Sequence, residues 1–313
     1  MIRYAAARIL AGIPTLLLVS VFIFSLAHIT PGDPAILLAG DNATPSQVAE
    51  IRTRLHLDLP LVQQFGLWLG DALRLDLGKS IYSGKPVTQL IAQRVEPTLV
   101  LSFVTLVLTV LVAVPLGAVS AWKANSIIDR ISMGIAVAGF SIPVFVIAYL
   151  LVYFFAVKLR LFPVQGYKWL ADGWMATLNS VTLPAIALAF VFSALIARVT
   201  RASVLEALGE NYIRTAHAKG LGAPRILFVH ALRSVGVPVI TVIGIGFATL
   251  IGGVVVTESV FNIPGIGRLT VDAVTRRDYP VIQGVILFFS VALIFINLLV
   301  DLSYAYIDPR IRG

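Results

Sequence analysis

Cysteine is absent from this 313-residue chain, and charge is scarce: Lys, Arg, Asp and Glu together make up 13% of it. The first absence excludes disulfide staples and thiolate metal sites. The second excludes one soluble domain, whose usual charged fraction is about 25%. Histidine is nearly missing too. His28, His56, His217 and His230 stand singly, without the spacings that ligate a metal, so neither a metal site nor a bound cofactor is expected. Charge is missing altogether from six stretches, 9–32, 97–122, 131–157, 173–197, 234–257 and 279–300.

What fills those gaps is apolar, as 58% of the chain is. Crossing a hydrocarbon core about 30 Å thick takes about 20 helical residues. Lipid cannot satisfy exposed backbone groups, and the alternation of a β-barrel is not present, so six spanning helices follow. The expected fold class is an all-α integral membrane protein with six transmembrane helices. It divides into 1–32 (N-terminus and first span), a helical extracytoplasmic subdomain at 33–96, and a core at 97–313.

Orientation follows from the basic residues. With the N-terminus inside, the inner segments carry 12 Lys and Arg against 5 Asp and Glu, and the outer ones 12 against 11. Both termini are therefore read as cytoplasmic. The first apolar run exceeds a signal-peptide core of about 7 to 15 residues and ends in a PGDPA turn, so it is read as an anchor.

In the long outer loop, TPSQ at 44–47 has the form of a capping box, with Val48, Ile51 and Leu55 at helical spacing behind it. Leu61, Phe65, Trp68 and Leu69 mark a second amphipathic helix. This loop reads either as a docking ledge or as a lid on its own helices. GKS at 78–80 has the ending of a phosphate-binding loop, but position 73 is Leu where that loop needs Gly. The chain is not expected to bind or hydrolyse ATP, and no nucleophile, paired carboxylate or histidine cluster marks an enzyme.

The spans have irregularities. Pro14, Pro115, Pro143, Pro184 and Pro238 fall inside five of them and can kink them. Gly244, Ala248 and Gly252 recur every fourth residue and should meet another helix closely. Ser102, Thr105 and Thr109 share one side of the second span, and Ser141 lies in the third; they suit a weakly polar conduit or helix-to-helix hydrogen bonds. Glu258 and Phe261 fall in a turn-rich loop, 258–278, between the fifth and sixth spans, where Glu258 could serve as an interfacial ion-pair partner.

Residues 211–234, NYIRTAHAKGLGAPRILFVHALRS, carry four Lys and Arg and no carboxylate. A helix from Asn211 to Ala218, a break at Gly220 to Gly222 and a second helix started by Pro224 and running to about Leu232 make a compact cytoplasmic knob. Its basic residues could touch anionic lipid or a protein that pushes on the bundle.

Here the residues carry a resemblance. EALGENYIRTAHAKGLGAPRILFVHALRSVGVPVIT at 206–241 resembles the signature of the permeases of dipeptide, oligopeptide and nickel ABC importers. HITPGDPA, LDLGKSI, VVVTESVFNIPGIGRL, RRDYPVIQG and NLLVDLSYAYIDPRIR are similar to the same family in the same order, over almost the whole chain. The resemblance implies a type I ABC importer transmembrane domain in a bacterial inner membrane. Its partners would be a C-type permease and two ATPase subunits that hold ATP and Mg. An extracytoplasmic substrate-binding protein would deliver cargo, and no nucleic acid is involved. It implies that the region about 200–235 couples to an ATPase, with Tyr212, Arg214, Thr215, Ala216, Lys219, Gly220, Leu221 and Arg225 as the contact set. It also implies that the loop 258–278, with Glu258 and Phe261, lies near where cargo enters and serves gating or docking, where Glu258 could attract a peptide amino terminus. Against the broader importer consensus E-A-A-x3-G-x9-I-x-L-P only Ala216, Gly220 and Leu232 agree, so the consensus Glu has no counterpart at Arg214. A stand-alone secondary transporter or channel is the competing reading; it calls for internal repeats or buried ionic sites, and neither is evident.

Overall fold

The computed structural model describes residues 2–29, 35–36, 44–54 and 57–307. Leu55 and His56 lie outside them, as do residues 30–34 and 308–313 of the terminal motifs. The helices are α1 (Ile2–Ile29), α2 (Pro45–Arg54), α3 (Leu61–Leu73), α4 (Val87–Trp122), α5 (Ile127–Ser141) and α6 (Val144–Leu151), which runs on as a π-helical stretch, Val152–Lys158. They continue as α7 (Trp174–Leu208), α8 (Asn211–Ala218), α9 (Ala223–Ser234), α10 (Gly236–Gly253), α11 (Val255–Val260), α12 (Ile266–Thr275) and α13 (Tyr279–Ile307).

Four helices, α1, α4, α7 and α13, are each long and apolar enough to cross a bilayer. The third and fifth apolar stretches are bent pairs instead. α5 and α6 meet at 103°, and α9 and α10 at 68°. Proline causes both breaks. Pro143 has no N–H, and it drives Ile142 into extended backbone (φ −88°, ψ 126°), which ends α5. Pro238 cannot bond to the carbonyl four residues back, at Ser234, and the chain bends there with Val235 at φ −99°, ψ 18°. Pro14, Pro97, Pro115 and Pro184 remain inside unbroken helices.

The chain forms two compact units, the first made of 1–5, 96–268 and 295–313, the second of 6–95 and 269–294. In the first unit α7 is the hub: 61% of its most apolar window is buried, against 28% for α4. Small residues let its neighbours approach. A Cβ on Gly117 of α4 would stand 2.5 Å from the Ala197 carbonyl oxygen and 2.8 Å from Thr200 Cβ, so α4 crosses α7 backbone to backbone. On α10, Gly244 faces Val300 of α13 with no room for a side chain, which locates a helix partner for the small-residue face within this chain.

In the second unit, the TPSQ box caps α2 as its sequence predicts. The Thr44 amide donates to Gln47 Oε1 at 2.9 Å, and the Gln47 amide to Thr44 Oγ1 at 3.4 Å. Phe65 and Trp68 of α3 pack on Phe24 of α1, with ring centroids 5.4 and 6.1 Å apart, whereas Leu61 is exposed. GKS sits in a hairpin. Gly78 takes φ 76°, Lys79 bridges to Pro86, and the buried Ser80 donates to Asp278 Oδ2 at 2.5 Å. The Ile81 amide donates to the other oxygen at 3.1 Å, so the serine of the false phosphate loop is a fastener for the start of α13.

Replacing Gly117 by Ala is expected to lower stability by about 1–3 kcal/mol through overpacking against α7. Gly134→Ala on α5, where a Cβ meets nothing within 4 Å, is expected to leave stability unchanged or slightly raised. Thermal unfolding of the two variants in detergent checks the contrast.

Candidate functional site

The segment 211–234 is built on a buried apolar base. Ile213 and Ala216 of α8 and Ile226, Leu227 and Ala231 of α9 share one cluster with Ala118 and Ala121 of α4 and Val204 and Ala207 of α7. α8 ends as its glycine dictates. Gly220 takes φ 73°, its amide donates to the His217 carbonyl at 2.9 Å, and the Leu221 amide reaches back to the Ala216 carbonyl at 3.3 Å. That pair of bonds is the Schellman closure, and the accompanying apolar contact between Leu221 and Ala216 lies in the same cluster.

Two side links stiffen the turn. The His217 ring stacks on Trp122, the last residue of α4, with centroids 6.1 Å apart and planes 13° from parallel. His217 Nδ1 lies 3.0 Å from the Ile213 carbonyl, which can only accept, so Nδ1 carries the proton. The Tyr212 and Ser234 hydroxyls are 2.6 Å apart and join the two ends of the segment.

The expected contact set therefore splits. Tyr212, Arg214, Thr215, Lys219, Gly220 and Arg225 are exposed. Ala216 is buried and Leu221 half-buried, both turned into the base. Ala216 lies one turn from Ile213 on the inward face of α8, and Leu221 packs part-way into the same base after the Gly220 turn.

An ion pair unforeseen in the sequence lies in the same unit. Arg201 of α7 grips Asp129 in the first turn of α5 through two bonds of 2.6 Å. The Asn125 amide donates to the same carboxylate at 2.9 Å, and Ser126 caps the helix. The readable trace was Asn-Ser-Ile-Ile-Asp, a capping serine with an acid three residues on.

The expected path and gate residues lie on α4, at the end of α5 and around α11. Ser102, Thr105 and Thr109 are buried on one face of α4; Thr109 donates to the Thr105 carbonyl at 2.7 Å, and the other two hydroxyls have no partner among the described residues. Ser141 is exposed at the end of α5 and bonds back to Val137. Phe261 is buried in the cluster that holds Leu101, Val181 and Ile263. Glu258 has no accessible surface, and its Oε1 accepts from Thr98 Oγ1 at 2.7 Å and its Oε2 from the Arg268 amide at 2.9 Å. In this structure it acts as an internal brace between α4 and the start of α12.

The segment between α6 and α7 is pinned beside this turn. The Gly166 amide donates to the Phe261 carbonyl at 2.9 Å, and the Tyr167 hydroxyl and Leu170 amide donate to Glu96 at 3.1 and 2.8 Å. Burial, reinforced by the Glu96 carboxylate, pushes the Tyr167 hydroxyl above the usual phenol range. Among the described residues no group of His, Cys, Asp and Glu is placed to hold a metal.

The described residues thus present a basic helix–turn–helix on an apolar base beside straight and bent apolar helices. Residues 113–313 match the family described as binding-protein-dependent transport system inner membrane component, and residues 1–102 match its N-terminal companion. The chain belongs to this family of ABC importer permeases. It is 49% identical over 309 residues to the probable peptide ABC transporter permease protein y4tP of Sinorhizobium fredii, covering 99% of each chain. It is 44% identical over 312 residues to the glutathione transport system permease protein GsiC of Escherichia coli K12, covering 100% of this chain and 99% of that one. The MetNI methionine ABC transporter, solved in inward-facing conformations, matches with a TM-score of 0.56 at 18% identity, over 70% of this chain and 97% of its own. That likeness speaks to the fold alone, the type I importer architecture. This permease is accordingly a multi-pass inner-membrane transport component rather than an enzyme.

Ile213→Ala is expected to cost this permease about 2–5 kcal/mol by leaving a hole in the base of the segment. Arg214→Glu on the exposed face should stay within about 0.5 kcal/mol of the parent. Thermal unfolding measured alongside membrane yield checks both.

Proposed function

We propose that this chain forms half of the translocation pathway of an ATP-driven importer of short peptides, glutathione-like peptides included, and that segment 211–234 is where an ATPase subunit drives it. The carrying observation is the segment itself: an exposed basic face on an apolar base shared with α4 and α7. A force applied to such a knob moves two spanning helices, because packed cores shift between discrete arrangements rather than yield smoothly. The reading takes both termini and segment 211–234 as cytoplasmic, on the strength of the basic bias, and residues 33–96 as an extracytoplasmic subdomain.

The partners are a second, related permease, two ATPase subunits and an extracytoplasmic binding protein. The cargo class rests on the relatives named for peptide and glutathione transport. The contact face is Tyr212, Arg214, Thr215, Lys219, Gly220 and Arg225, with Ala216 and Leu221 beneath it. ATP and Mg reside on the ATPases, and this chain supplies no cofactor site.

The test is reconstitution of the chain with its partner subunits and binding protein in liposomes. Uptake of labelled glutathione or a dipeptide is expected only with ATP and the binding protein present. Uptake by the chain alone, without nucleotide, would overturn the reading in favour of a stand-alone carrier. Gly220→Pro cannot take φ 73°, since proline is held near −65°, and should abolish uptake while the chain still inserts. Normal uptake by that variant would remove 211–234 from the coupling path.

A further inference from the structure

The far end of α4 from the 211–234 segment carries an arrangement that the importer reading does not by itself explain, and the inference from it rests on the coupling role proposed above. Glu258 is wholly buried, and its carboxylate is built into a turn rather than left for a ligand. Besides the two bonds already given, Thr98 Oγ1 accepts the Ile266 amide at 2.8 Å. The Ile266 and Arg268 amides lie in the first turn of α12, where N–H groups lack helical partners and negative charge is favoured. Two glycines make the space. A Cβ on Gly265 would fall on the carboxylate, and one on Gly267 would come within 3.0 Å of Oε2. Thr98, Glu258 and the start of α12 thus form one clasp.

Thr98 stands on the same unbroken helix as Trp122, 24 residues and about 36 Å away. At the Trp122 end, α4 holds the 211–234 segment through Ala118, Ala121 and the ring stack on His217. At the Thr98 end it holds the turn 258–268. Directly along the same face from Thr98, Ser102 and Thr105 are buried with hydroxyls that have no partner among the described residues. Their neighbour Leu101 packs in one cluster with Phe261 and Ile263 of that turn. Buried unpaired hydroxyls are costly, and water would satisfy them if the turn withdrew.

We infer that Thr98 and Glu258 are positioning residues, a clasp through which α4 carries displacement of the 211–234 segment to the turn 258–268. Closed, the clasp keeps the Ser102–Thr105 face dry. Released, it opens that face to water. The pair acts on the pathway through the turn and touches no cargo.

The native chain has no cysteine, so a single introduced thiol reports without background. Ser102→Cys is placed in the full assembly of this chain with its partners and labelled with a water-soluble maleimide, with Thr98 either intact or changed to Val or Ser. Val keeps the shape of Thr and removes the hydroxyl, whereas Ser keeps the hydroxyl. Thr98→Val, which removes both bonds of the hydroxyl, is expected to raise the labelling rate and the ATP hydrolysis seen without binding protein at least roughly five- to tenfold, the scale already set by one lost buried hydrogen bond. Solute moved per ATP should fall by a similar factor, and Thr98→Ser should stay near the parent. Gly265→Ala, which evicts the carboxylate, should match Thr98→Val and takes its place if that variant does not assemble. Labelling and hydrolysis unchanged by loss of the hydroxyl, or equally disturbed by Ser, would overturn the clasp. Because labelling is read without transport, a parent assembly that never couples to ATP would instead refute the importer reading.

Discussion

Hydrocarbon forms no hydrogen bonds, and the architecture of this permease follows from that single limit. Every backbone amide within the bilayer must find its partner in the same helix, so the chain is helical wherever it is apolar. A polar side chain in the same region must find a partner from another element or leave the lipid. Just past the ends of spans, where protein rather than water surrounds them, Glu258 answers the same demand with Thr98 and an amide in the first turn of α12, and Asp129 answers it with the Arg201 guanidinium and the Asn125 amide. In both cases one helix start supplies part of the compensation. Where a proline removes an amide, the limit acts in reverse: the helix breaks at Pro143 and before Pro238, and the freed groups are resolved by a bend.

Close approach is the second consequence. Between helices immersed in lipid, the hydrophobic effect that drives soluble cores has little to act on, and contact area must come from shape. Gly117 gives α4 direct access to the backbone of α7, and Gly244 gives α10 access to α13. The alanines of α7, with Ala185, Ala187 and Ala197 fully buried, serve the same end from the other side. A bundle held this way resists side-chain growth at few positions but resists it strongly, and its helices move as rigid bodies when they move.

The six apolar stretches, the TPSQ cap, the span of α8 and the glycine turn after it were all readable, because each depends on residues within one or two helical turns. The bends were readable only as proline positions. Whether a proline is absorbed, as at Pro184, or breaks the span, as at Pro143, depends on what neighbouring helices offer its orphaned carbonyl, and that is a tertiary matter. The same distinction separates the exposed face of 211–234 from its anchors. Ala216 and Leu221 sit among contact candidates in sequence; the helical spacing of Ala216 from Ile213 and the turn at Gly220 set them against the base. Glu258 lay beyond local reading altogether. Its partners are 160 residues upstream at Thr98 and 10 downstream at Arg268, and the glycines that admit it read in isolation as turn residues.

On the coupling role proposed for 211–234, rigidity at that segment and polarity around Glu258 would answer one mechanical need from opposite ends of α4. An element that deformed under load would dissipate displacement before it reached the span. The Gly220 closure, the Trp122–His217 stack and the Tyr212–Ser234 bond each remove a freedom that would allow this. At the other end, an apolar contact alone would slide, because lateral movement of one greasy surface on another costs little until packing is lost. A hydrogen-bonded carboxylate is directional. Its bonds weaken steeply once distance and angle are lost, so it fixes the turn more sharply than an apolar contact does. On that reading a carboxylate, costly to bury unless it is hydrogen-bonded, stands where α4 meets the turn, beside the apolar packing of Leu101 with Phe261 and Ile263 that could not fix the register alone.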